Sequence, residues 1–133
     1  MTAPRFDINN YRTDPALKQQ GVWVDFGGGA RVKIAAFDNE DFATNFRKMI
    51  EPYAKMGQEV PEEEQKRIMV HCTARYVILD WEGMFDGDAE FPYSVENAER
   101  LLNEIEFVRD RIFAEARKYQ NFRAQTLEGT AKN

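Results

Sequence analysis

Hydrophobic and polar positions alternate with a period of two from Val22 to Ile34. Val22, Val24 and Phe26 fall on one side of the chain, Gly27-Gly28-Gly29 interrupts the run, and Val32 and Ile34 resume on the same side. Such alternation around residues tolerant of positive φ predicts a β-hairpin over residues 21–36, with these five side chains on one buried face. The period then changes. Phe42, Phe46, Met49, Ile50 and Tyr53 are spaced for one stripe of a helix over about 39–56, which Asp38 or Asn39 is suited to cap and Gly57 to end. Pro61 followed by Glu62, Glu63 and Glu64 makes a favourable first turn for a second helix, since acids there face the positive end of the dipole. Its apolar residues form two rows, Ile68, Cys72, Tyr76 and Leu79, and Val70, Ala74, Val77, Ile78 and Trp81, which predicts a central helix over about 62–81. The run Val77-Ile78-Leu79 also suits a buried strand.

Gly83, Gly87 and Pro92 mark residues 82–93 as a loop, after which Ser94 is placed to cap a third helix. Ala98, Leu101, Leu102, Ile105, Val108, Ile112, Phe113, Ala116 and Tyr119 keep helical spacing, which predicts one long helix over about 95–120. Residues 1–20, broken by Pro4 and Pro15, read as an arm over the domain, and residues 123–133 as a frayed polar tail. The expected fold class is α+β, mainly α: an N-terminal arm and a β-hairpin packed on about three helices in a single domain over residues 21–122.

Composition narrows the function classes. A chain of 133 residues with 43% hydrophobic and 31% charged residues has material for one core. Cys72 is the single cysteine, so neither an intramolecular disulfide nor a cysteine-based zinc cluster is available, and a reducing compartment is expected. The first ten residues lack the apolar run of a secretory signal, and no stretch approaches a membrane span, so a soluble, non-exported protein is expected. The net charge of -5 hides an uneven distribution: residues 1–79 are balanced, residues 80–106 carry nine acids against Arg100 alone, and residues 109–133 carry twice as many bases as acids. This pattern disfavours general nucleic-acid binding, which calls for a basic surface.

Candidate chemistry is sparse. Asp86-Gly87-Asp88-Ala89-Glu90 offers oxygens at the first positions of a calcium loop, but Phe91 stands where its glycine turn is needed and Asn97 where its bidentate glutamate is needed. Gly27-Gly28-Gly29 fits neither phosphate-binding glycine pattern, and a hairpin turn accounts for it. His71 and Cys72 are adjacent and, on a helix, point about 100° apart, so they do not make a nucleophile and base. No catalytic residue, metal or cofactor is predicted. What stands out is a group of aromatic residues around the acidic turn. Trp81, Phe85, Phe91 and Tyr93, with Asp86, Asp88 and Glu90, are the candidate partner-binding residues, because aromatics on a loop are favoured interface anchors. In the third helix, Glu96, Glu99, Glu104 and Glu106 precede Arg109, Arg111, Arg117, Lys118 and Arg123. Dipole matching explains only the end turns of that order.

The order Thr13-Asp14-Pro15, Gly21-Val22-Trp23-Val24, a glycine turn, Arg31-Val32-Lys33-Ile34-Ala35, Asn39 and Phe42 resembles the tail assembly chaperones of long-tailed bacteriophages and prophages. So do Leu79-Asp80-Trp81-Glu82-Gly83, Asp86-Gly87, Phe91-Pro92-Tyr93-Ser94 and Glu96-Asn97-Ala98 with Leu101-Leu102. The resemblance implies a non-enzymatic protein of the host bacterial cytoplasm that binds the tape measure protein, helps recruit the tail tube protein and is absent from the mature virion. It leaves room for self-association. It also implies a longer frameshifted product, for which Ala131-Lys132-Asn133 is compatible with a slippery heptamer in the gene. The alternative reading is an acidic protein-binding regulatory module of phage or bacterial origin.

Overall fold

In the computed structural model, which describes residues 3–124, the alternating segment forms the expected hairpin. Strands β1 (Val22–Gly27) and β2 (Ala30–Ile34) pair antiparallel, with Val22 opposite Ile34 and Val24 opposite Val32. Gly28 and Gly29 take φ of 60° and 82° between them, the positive values that a hairpin turn matched to strand twist requires. Helix α2 (Glu40–Lys55) is capped by Asn39, whose side-chain Oδ1 accepts from Phe42 N at 2.9 Å. The buried Asn39 amide also donates to the carbonyls of Ala36 and Tyr76, so one side chain ties the end of the hairpin, the start of α2 and the end of the central helix at Tyr76 together.

Helix α3 (Glu62–Tyr76) is the central helix, with Ile68, Val70, Cys72, Thr73 and Ala74 buried. It stops earlier than the predicted 81. Residues Ile78–Glu82 form strand β3, which pairs antiparallel with β2 through Val32 opposite Trp81 and Ile34 opposite Ile78. The physical reason is the second edge of β2. Left unpaired, its backbone donors and acceptors would lack partners beside the core, and a β-branched and aromatic run answers them better as a strand than as another turn of helix. The sheet is therefore three-stranded, in the order β1-β2-β3.

The predicted loop 82–93 is also more regular than expected. It contains a small hairpin, β4 (Phe85–Asp86) and β5 (Ala89–Glu90), turned at Gly87 with φ 63°. The predicted third helix is two helices. Helix α4 (Val95–Glu104) begins at Ser94, whose Oγ accepts from Asn97 N at 3.0 Å, and α5 (Glu106–Ala116) begins after a break at Ile105. Periodicity placed Ile105 in the core, yet it has extended backbone (φ -117°, ψ 87°) and is 46% exposed. The kink lets α4 bury Ala98, Leu101 and Leu102 while α5 packs Ile112 and Ala116 along a different line.

The arm is not featureless. It contains a 3-10 turn at Ile8–Tyr11 and a short helix α1 (Pro15–Gln20) capped by Asp14. The arm meets the last described residues: Thr13 bridges Arg123, Asp14 N donates to the Phe122 carbonyl, and Ala124 N donates to the Arg12 carbonyl. Arg123 and Ala124 are thus fastened, in contrast to the expected fraying, and the rest of the predicted tail lies outside the described residues. The core runs from Val32 and Ile34 through Ile68, Cys72 and Ile78 to Leu102 and Ile112. No described helix is long and apolar enough to cross a membrane.

Candidate partner-binding surface

The seven predicted contact residues separate into two groups. Trp81, Phe91 and Tyr93 form a brace beneath the β4–β5 hairpin. Trp81 is buried, stacks on Phe91 at 5.5 Å between ring centroids, and meets Tyr93 edge to face at 5.2 Å. Its indole N–H donates to the Phe91 carbonyl at 2.8 Å, and the Tyr93 hydroxyl donates to the Ile78 carbonyl at 3.1 Å. Burial pushes the Tyr93 phenol above its ordinary pKa, with the Asp80 carboxylate adding to the shift, so the hydroxyl remains a proton donor at neutral pH. These three side chains are positioned to support the loop.

Phe85, Asp86, Asp88 and Glu90 form the tip and are exposed, Phe85 by 61%. Two residues of β4 opposite two of β5 hold them in fixed order, with Phe85 facing Glu90 and Asp86 facing Ala89. Beside the tip lies a cleft of about 290 Å³ lined by Phe85, Phe91, Leu101 and Ile105, with Asp86, Arg100 and Glu104 at its rim. Arg100 fastens the hairpin to α4. Its guanidinium lies 5.4 Å over the Phe91 ring, 3.1 Å from Glu104 and 4.0 Å from Asp86. The only base within residues 80–106 is therefore committed to local acids, whereas Asp88 and Glu90 have no ion pair among the described residues.

Two contributors to this surface are not evident from sequence. Ile105 fits the core spacing of the predicted third helix, and Arg100 stands out only as a lone base among acids. The basic half of the old third helix shrinks correspondingly. Arg111 lies 4.4 Å over Phe26 and donates to the Asp25 carbonyl, and Arg117 lies 5.1 Å over Phe37. Both fasten α5 to neighbouring elements.

The other chemical candidates part company. Cys72 is buried with its Sγ 3.8 Å from Met49 Sδ, and burial pushes its thiol pKa up, which keeps it protonated and unreactive. His71 instead borders a polar cleft of about 460 Å³ with Glu63, Lys66, Arg67, Glu99 and Asn103. Gly83, on the loop's near side, takes φ 74° against the glycine turn of the first hairpin, so the loop is packed directly on backbone.

A family model described as YdaY prophage protein matches residues 37–133, more than half of the chain and all seven predicted contact residues. The chain belongs to the YdaY prophage protein family. This YdaY family member has no match among curated proteins or among solved structures. Its family places it with prophage proteins, which is the coarser half of what the resemblance to tail chaperones implied.

Proposed function

We propose that this prophage-family protein is a non-enzymatic tail assembly chaperone, which holds the tape measure protein through the β4–β5 tip and helps recruit tail tube subunits in the host cytoplasm without entering the mature virion. The observation that carries the reading is the combination of an exposed Phe85 with three exposed acids on a hairpin braced by a buried Trp81. An apolar side chain presented on a rigid support loses little conformational entropy on binding, and the acids around it favour a basic client segment and steer its approach. Prophage family membership supports the biological setting.

The test is co-expression with the neighbouring tape measure gene followed by pull-down at low salt. Wild type is expected to keep the client soluble and bring it down. Phe85→Ala, and separately Asp86→Ala with Asp88→Ala and Glu90→Ala, are expected to lose most of the captured client. Undiminished capture by both variants would remove the tip from the mechanism. Failure of wild type to capture the client would overturn the chaperone reading, and capture of a basic host protein instead would favour the regulatory module.

A further inference from the structure

The arm and the turn that follows α5 meet along a ladder of aromatic rings. Phe6 stacks nearly parallel on Tyr11 at 4.7 Å between centroids, and Tyr11 rests on Tyr119 at 5.1 Å. Asp7 caps the 3-10 turn that carries Ile8 and Tyr11, accepting from Asn9 N at 2.9 Å, so local bonds hold the ladder in place. Phe6, Ile8 and Tyr11 nevertheless stay exposed by 76%, 63% and 46%, a concentration of apolar area that marks an interaction surface. Tyr119 also lines a cleft of about 270 Å³, whose walls include Phe37, Ala116 and Phe122. The ladder therefore leads into an apolar recess with room for a leucine or phenylalanine side chain. This cleft shares no lining residue with the one beside Phe85.

The charge around this surface is one-sided. Arg5, Arg12, Arg117 and Arg123 are exposed, and none makes an ion pair among the described residues. Arg12 Nε donates to Asn9 Oδ1 at 2.7 Å and Arg123 Nη2 to Asn10 Oδ1 at 3.3 Å. An amide oxygen orients a guanidinium and leaves its charge uncompensated. Arg117 stands at the rim of the cleft, its guanidinium 5.1 Å over the Phe37 ring. The neighbouring acids are already engaged: Asp38 pairs with Lys18 at 2.6 Å, Glu115 pairs with Lys118, and Asp7 and Asp14 act as helix caps.

We propose that this surface docks an acidic segment of another protein, with one apolar side chain in the cleft beside Tyr119 and flanking carboxylates on Arg5, Arg12, Arg117 and Arg123. Guanidinium forks held in position by amides suit the planar, two-oxygen geometry of a carboxylate. A single-stranded nucleic acid, the other polyanion to weigh, binds on the open faces of successive rings. Here Phe6 and Tyr11 cover each other and Tyr11 leans on Tyr119, so the outer face of Phe6 is the open one in the ladder. The net charge of -5 also repels a continuous phosphate backbone more than a short segment with few carboxylates. The contact lies apart from the β4–β5 tip, and its partner differs in charge from the basic client proposed there.

Fluorescence anisotropy with a labelled peptide tests the proposal, the probe being one leucine flanked on both sides by alternating serine and glutamate. Wild-type full-length protein is expected to bind it saturably, with the dissociation constant rising roughly tenfold between about 50 mM and about 500 mM salt. Replacing the leucine by serine, or the glutamates by glutamine, should weaken binding at least about tenfold. So should Arg12→Gln with Arg123→Gln in the protein, and separately Phe6→Ser. These positions are exposed, and circular dichroism matching wild type checks that the variants are folded. Asp86→Asn with Asp88→Asn, at the tip, should bind the peptide as wild type does. The proposal is overturned if wild type fails to bind, if the serine peptide binds as well as the leucine peptide, if the folded arm variants bind like wild type, or if the tip variant loses binding. Tighter binding to a poly-dT oligonucleotide or to phosphatidylglycerol vesicles would overturn it in favour of nucleic acid or membrane. No tape measure client is present, so none of these results decides client capture.

Discussion

Trp81 stacks on Phe91 at 5.5 Å and 9° while its indole nitrogen donates to the Phe91 backbone carbonyl at 2.8 Å, so ring and main chain of one residue are held by a single side chain. The consequence is a separable energetic contribution. Trp81→Phe keeps a stacked ring and leaves the carbonyl without its donor, which should cost about 1 to 2 kcal/mol, whereas Trp81→Ala should cost about 3 to 5 kcal/mol through the added cavity. Urea unfolding followed by circular dichroism reads both. A Trp81→Phe protein as stable as wild type would show that stacking alone braces the loop.

Gly83 offers a second test of how the loop is seated. Its φ is 74°, and a Cβ at this position would overlap the carbonyl oxygen of Gly29 in the first hairpin turn. Backbone cannot swing aside as a side-chain end can, so Gly83→Ala should lose more than about 2 kcal/mol. Gly87, at the hairpin tip with φ 63°, has open space around its Cβ position, and Gly87→Ala should lose only about 1 kcal/mol for the left-handed backbone. Equal thermal shifts for the two variants would contradict the close approach at Gly83.

The same loop shows where sequence periodicity is informative and where it fails. The hairpin 22–34 was legible because one face is buried and one is wet, so Val24 and Trp23 report opposite sides. Helix α2 was legible for the same reason, with the cap at Asn39. Trp81 fits a helical row although it lies on a strand, because a segment buried from several directions carries no phase, and Ile78 fits either a helical row or a strand beside Ile34. Ile105 fits the helical spacing on both sides of it, so nothing local records that α4 and α5 leave it outside. Of the seven predicted contact residues, the four at the tip are exposed, whereas Trp81 is buried and Phe91 and Tyr93 are half-buried against it. Spacing identifies a cluster without stating which members point out. The stack of Phe6 on Tyr11 in the arm rests on Tyr119, more than a hundred residues from Phe6, and such a contact leaves no local pattern.

His71 gives a pH dependence whose sign follows from its surroundings. Partial burial of His71, which lies on α3, pushes its pKa below the ordinary imidazole value of 6.5, Arg75 and Arg67 add repulsion, and Glu99 partly opposes them. The unfolded chain therefore binds the proton first as pH falls. The contribution of the neutral imidazole to stability is fully present above about pH 6.5 and is lost as the pH drops toward the lower folded value. Relative to His71→Gln, wild type should weaken between about pH 7 and about pH 5, measured as paired urea midpoints. A midpoint difference that stays constant over this interval would contradict the desolvation of His71.

Ile105 sits where a helix start favours a side-chain oxygen. It is the N-cap of α5, makes no capping bond, and keeps nearly half its surface exposed beside the cleft. Asparagine at that position can accept from an N–H of the first turn, so Ile105→Asn should raise stability by about 0.5 to 1 kcal/mol. It also deletes an apolar wall of the cleft, so the same variant should capture less client. The two changes have opposite signs, which separates a binding defect from a folding defect in one protein. If thermal melts show Ile105→Asn to be destabilised instead, the buried half of the isoleucine contributes more to the α4–α5 junction than the missing cap, and Ile105 belongs with Trp81 among the supports of this surface.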